Sequence, residues 1–154
     1  MSARIAARDL PVLLAVALLA AAVAWTTLVD LEVLGVERQW ATQWLVYLTV
    51  LLLPLAAIWD AAPGRRPSRL WALVAPLVGA YLVAHYYAFD VYDGPPYLRN
   101  AEAGDMPGWA IFAGASVALA TGALAWSRPR PGIVLTVPVC LGCAVLVFFS
   151  NVFH

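Results

Sequence analysis

The sequence predicts an all-α integral membrane protein, a bundle of five transmembrane helices forming a single domain over residues 1–154. Three observations carry this. Hydrophobic residues make up 64% of the chain and charged residues only 12%, whereas soluble domains are about half apolar and about a quarter charged. The apolar residues fall into five runs, each close to the ~20 residues needed to cross about 30 Å of hydrocarbon. The charges between the runs separate by sign, although the formal net charge is zero.

The first run, 10–29, follows a short polar start containing Arg4, Arg8 and Asp9. It is longer than the apolar stretch of a cleaved signal peptide, despite the small residues at Ala20–Ala24, and is read as a retained helix. Residues 30–39 form a polar connection. The second span, 40–59, has tryptophan at both edges, as aromatic belts favour, and contains Pro54, which removes one helical donor. Residues 60–69, D-A-A-P-G-R-R-P-S-R, read as a tight turn. The third span is 70–89, with Pro76 inside. A polar loop then runs to Pro107, and Asp105-Met106-Pro107-Gly108 reads as a helix start. The fourth span, 108–126, places Gly114, Ala118 and Gly122 on one face, where small residues admit a neighbouring helix. After the arginine turn 127–132 comes the fifth span, 133–153, with Pro138 inside.

Every basic residue is arginine, which together with the abundance of alanine reads as coding bias. With a cytoplasmic amino terminus and an extracytoplasmic carboxyl terminus, Arg4, Arg8, Arg65, Arg66, Arg69, Arg128 and Arg130 all face inward. Asp30, Glu32, Glu37, Asp90, Asp93, Glu102 and Asp105 face outward with Arg38 and Arg99. Arginine bias in short loops sets orientation. The expected location is the inner cell membrane, multi-pass.

The stretch 81–107 holds the chemistry. His85 lies about 24 Å along a straight helix from Arg69, just below the outer hydrocarbon edge, where an ionisable group is costly and usually has a role. Tyr81, His85 and Tyr92 share one helical face, and Tyr86 and Asp90 another. His85 reads either as a proton donor or ligand in an outward cavity, or as a buried group bonded to a neighbouring helix. Tyr81, Tyr86 and Tyr92 are candidate lipid or pigment contacts. No metal site is expected. A paired-histidine haem lacks its second ligand within the chain, since His154 at the far end is the one other histidine, although a single-ligand pigment on His85 stays open. No cofactor follows from the residues. Cys140 and Cys143 form C-L-G-C inside the last span and read as packing residues, because apolar surroundings disfavour a thiolate. No phosphate cradle, nucleophile elbow or nucleic-acid patch is present.

Residues 85–107, H-Y-Y-A-F-D-V-Y-D-G-P-P-Y-L-R-N-A-E-A-G-D-M-P, resemble part of the neoxanthin-synthase-like family of small polytopic membrane proteins. The matching positions are His85, Asp90, Tyr92, Gly94, Arg99, Asn100 and Pro107. The resemblance implies action on a xanthophyll or related isoprenoid within the bilayer. Two function classes follow. One is an accessory subunit of a larger redox or pigment-binding membrane complex, contacting lipids and other subunits or a second copy through Gly114, Ala118 and Gly122. The other is an isoprenoid- or lipid-modifying enzyme with His85 as acid/base and Asp90 as its helper.

Overall fold

The computed structural model describes residues 2–30, 39–62, 64, 66–87 and 108–152. Among these the chain is entirely helical: α1 Ser2–Trp25, running into a π-helical segment Thr26–Asp30, then α2 Gln39–Asp60, α3 Trp71–Tyr86, α4 Gly108–Ser127 and α5 Pro129–Val152. Four of the five helices are long and apolar enough to cross a membrane, the pattern of a multi-pass membrane protein. The fifth, α3, is described over 16 residues, about 24 Å.

Two boundaries differ from the expectation. Helix α1 begins at Ser2, so the polar start around Arg4 and Arg8 belongs to the first helix, ahead of its apolar span Asp9–Leu28. Helix α5 begins at Pro129, four residues before the expected start. The physical reason lies in the first turn, where backbone N–H groups have no helical acceptor. Pro129 and Pro131 therefore sacrifice nothing there, and the Gly132 N–H donates to the Arg128 carbonyl at 3.0 Å. Helices α2, α3 and α5 run through Pro54, Pro76 and Pro138 without interruption.

Helix α3 is the centre of the bundle. Helix α3 packs against α1, α4 and α5, while α2 closes the ring between α1 and α5. Nine of its residues are buried, including Trp71, Val74, Val78 and Leu82. The outer faces of the longer helices remain apolar and open, as lipid-facing surfaces must, with Leu51, Leu55, Ile58, Trp109 and Val134 all exposed.

Small residues set the spacing. A Cβ on Gly79 would meet the Ala118 Cβ at 2.8 Å, and one on Gly122 would lie 2.6 Å from the Ala72 carbonyl oxygen. A Cβ on Gly114 would meet Leu82 and Leu146 at 3.1 Å. The Gly114–Ala118–Gly122 face is thus occupied by α3 and α5 of the same chain, which allows α3 and α4 to cross closely. Between α4 and α5 the same device recurs, with Gly132 set against the backbone of Ala125.

The α2–α3 connection is tight. Gly64 takes a positive φ of 80°, a left-handed conformation that suits glycine. The turn is then closed from inside by Asp60, whose side chain is 3% exposed. Its Oδ2 accepts the Ser68 N–H at 2.7 Å and the Trp71 indole N–H at 2.9 Å. Burying a carboxylate is costly without such donors. Here two donors from the following helix start satisfy it.

Candidate functional site

The alternation of helix directions collects one set of termini at each end of the bundle. The arginine-rich end holds the start of α1, the α2–α3 turn and the α4–α5 corner. The opposite end holds the π segment, the start of α2, the end of α3 and the start of α4. His85 is one residue from the end of α3.

His85 is 1% exposed and Tyr81 is fully buried. Their spacing of four residues puts them on one helical face, and the rings stack with centroids 5.8 Å apart and planes 20° apart. The same end carries further buried polar groups on neighbouring elements: Thr26 in the π segment and Thr42 and Gln43 in the first turn and a half of α2. The π segment packs against both α2 and α3. Its wider winding displaces side chains from the regular helical register, and such segments are frequent at functional sites.

The expected site residues therefore divide. Tyr81 and His85 are brought together and sealed inside. Tyr86 belongs to a separate aromatic group facing α4: its ring lies 5.8 Å from Tyr87 and 6.3 Å from Phe112, both edge-on. Gly108 makes room for it, since a Cβ there would sit 2.8 Å from the Tyr86 hydroxyl. Asp90 and Tyr92 lie outside the described residues, as do Gly94, Arg99, Asn100 and Pro107. Among the described residues no three of His, Cys, Asp and Glu cluster as a metal site.

Beside α3, an apolar groove of about 460 Å³ opens between α1 and α4. Gly79, Ala80 and Ala115 contribute to its walls, and Thr27 and Tyr87 sit toward its π-segment end. Ala84 lines it, one residue before His85. The imidazole is on the buried side of the helix, so a molecule in the groove would reach it only after α3 or its cover moved.

On α5, Cys140 and Cys143 are both free thiols and both buried. Cys143 Sγ points at the Gly114 carbonyl oxygen at 3.9 Å, a weak contact that helps seat α5 against α4. The two are spaced one turn apart and serve packing.

Two groups were not anticipated. One is the Asp60–Ser68–Trp71 network. Its signal in the sequence is a carboxylate ending a long apolar helix on the arginine-rich side, where acids are otherwise scarce. The other is the contact of Arg69 with Trp126, the guanidinium carbon lying 5.3 Å above the indole centroid. Nothing local in the sequence pairs these two positions, because the contact joins the start of α3 to the end of α4.

No family model, no curated protein and no solved structure matches the chain.

Proposed function

We propose that the chain crosses the membrane five times and serves as an accessory subunit beside larger membrane proteins of a redox or pigment-binding complex. The supporting observation is where its chemistry-bearing side chains point. His85, Tyr81, Cys140, Cys143 and Asp60 are all turned inward and covered. What the protein offers to its surroundings is apolar helix surface, with shallow grooves between α1 and α2 and between α2 and α5. A surface of this kind suits packing against lipids and other apolar helices. Helix α3 crosses within the protection of its neighbours. The arginine-rich end faces the cytoplasm of the inner membrane, as the charge rule requires.

The test is gentle extraction of the tagged chain followed by intact-complex mass measurement. The reading expects larger membrane proteins in fixed stoichiometry. A 16.5 kDa chain that always emerges alone would refute it.

A second reading is favoured by the buried His85–Tyr81 stack beside the π segment. In it, the protein is an isoprenoid- or lipid-modifying enzyme, with His85 as acid/base and Asp90 assisting, in keeping with the resemblance of residues 85–107 to the neoxanthin-synthase-like family. The stack would then hold the imidazole in one orientation for proton transfer. A carotenoid or quinone co-purifying with the lone chain, and turned over only when His85 is present, is the result that would select this reading.

A further inference from the structure

We propose that the arginine-rich end carries a binding site for one anionic phospholipid whose headgroup also bears hydroxyls, of the phosphatidylglycerol class. The site is a cavity of about 400 Å³ formed where α1, the α2–α3 turn and the end of α4 meet. It differs from the other grooves described above in having two chemistries. Arg66, Arg69 and Asp9 supply charge to its lining, and Leu70, Leu73 and Trp126 supply apolar surface. A ligand that fits must itself be polar at one end and apolar at the other. It must also arrive where a lipid headgroup meets its chains, because the cavity lies at the end of membrane-length helices.

The charge selects the sign of the headgroup. Arg66 and Arg69 are both exposed, and a guanidinium offers the forked donors that match a phosphate. Arg69 is held at the wall by its contact with the Trp126 ring, a cation–π interaction that limits its rotamers. Arg128 and Arg130 stand at the same end of the bundle, exposed at the α4–α5 corner. Basic pockets between membrane helices are favourable sites for anionic headgroups. Two guanidiniums against the one carboxylate of Asp9 leave the cavity a net positive charge, which a monoanionic phosphodiester neutralises and a zwitterionic headgroup does not; Asp9 opposes a second negative charge and accepts from a headgroup hydroxyl. Choline offers no donor. Trp126 and Leu73, both largely exposed, receive the glycerol backbone and the upper part of one chain.

The experiment uses the full chain, stripped of lipid in detergent and titrated with phosphatidylglycerol, phosphatidylethanolamine or phosphatidylcholine of identical chains, with bound lipid counted by native mass spectrometry. The wild type is expected to hold one phosphatidylglycerol about thirtyfold more tightly than phosphatidylcholine. Arg66→Gln should weaken it about fivefold, and Arg66→Gln with Arg69→Gln about thirtyfold, to the level of phosphatidylcholine. Arg66 is exposed on the turn, so the single variant retains the fold and keeps the test valid if loss of the Arg69–Trp126 contact loosens the double one. Equal affinity for phosphatidylglycerol and phosphatidylcholine, or unchanged affinity in Arg66→Gln and the double variant, would overturn the site. Phosphatidylethanolamine binding as tightly as phosphatidylglycerol would overturn the anionic assignment, and displacement of the lipid by inorganic phosphate alone would overturn the lipid one. None of these outcomes depends on whether the protein is a subunit or an enzyme.

Discussion

Replacing Asp60 by alanine tests how the first two spans are joined to the central helix. The carboxylate is nearly inaccessible and accepts two hydrogen bonds through one oxygen, from the Ser68 N–H and the Trp71 indole. Two effects compete. Removing a buried carboxylate recovers its desolvation cost. It also strands two donors, each costing about 1–3 kcal/mol when left without an acceptor in a buried place. The second effect wins because Trp71 is itself fully buried and water has no path to its N–H. The expected loss for Asp60→Ala is about 3 kcal/mol, and for Asp60→Asn, which keeps an acceptor oxygen but not the charge, about 1–2 kcal/mol. Ser68→Ala should change stability by less than about 0.5 kcal/mol, since Ser68 serves Asp60 through its backbone and its own hydroxyl only accepts a long bond of 3.3 Å from Leu70. The assay is reversible unfolding in mixed micelles, followed by tryptophan fluorescence. A double-mutant cycle with Trp71→Phe isolates the pair, and the two changes should cost less together than separately. Asp60→Ala within about 0.5 kcal/mol of wild type, or strict additivity with Trp71→Phe, would refute the reasoning.

Three further outcomes follow from the packing. Gly122→Ala should destabilise by about 1–3 kcal/mol because the new methyl meets the Ala72 backbone, whereas Gly142→Ala, with nothing within 4 Å of its Cβ position, should be neutral or stabilising by up to about 1 kcal/mol; unfolding titrations compare the two directly. His85→Ala empties a filled position under a stacked ring and should cost about 2–4 kcal/mol in the same assay. Under the subunit reading it should weaken assembly only in proportion to that loss. Cys140 and Cys143 should resist a membrane-permeable maleimide in the folded protein and react once it is unfolded, as mass spectrometry of the intact chain would record.

The all-helical fold was legible because apolar runs of span length are a one-dimensional signal. The arginine bias likewise anticipated the clustering of Arg66, Arg69, Arg128 and Arg130 at one end. What the pattern could not convey was the depth of each helix in the bundle. All five runs look alike in composition, yet α3 alone is central, because its packing against α1, α4 and α5 is set by tertiary structure and leaves no mark on the run itself. The Gly114–Ala118–Gly122 face was readable as a contact face, but which helix it meets depends on topology. For the site, the four-residue spacing made the Tyr81–His85 pairing readable. The Arg69–Trp126 contact joins positions 57 residues apart, and no periodicity carries that information. The π segment at Thr26–Asp30 was invisible for a related reason: its residues have no composition that marks a change of winding.

The central claim is that α3 carries the chain across the bilayer, so that Arg66 before it and Asp93 after it emerge on opposite faces. In a background lacking Cys140 and Cys143, single cysteines at Arg66 and at Asp93 are exposed to an impermeant maleimide on intact cells and on inverted vesicles. The account predicts that Asp93→Cys is labelled only in cells and Arg66→Cys only in inverted vesicles. Labelling of both from one face would contradict it.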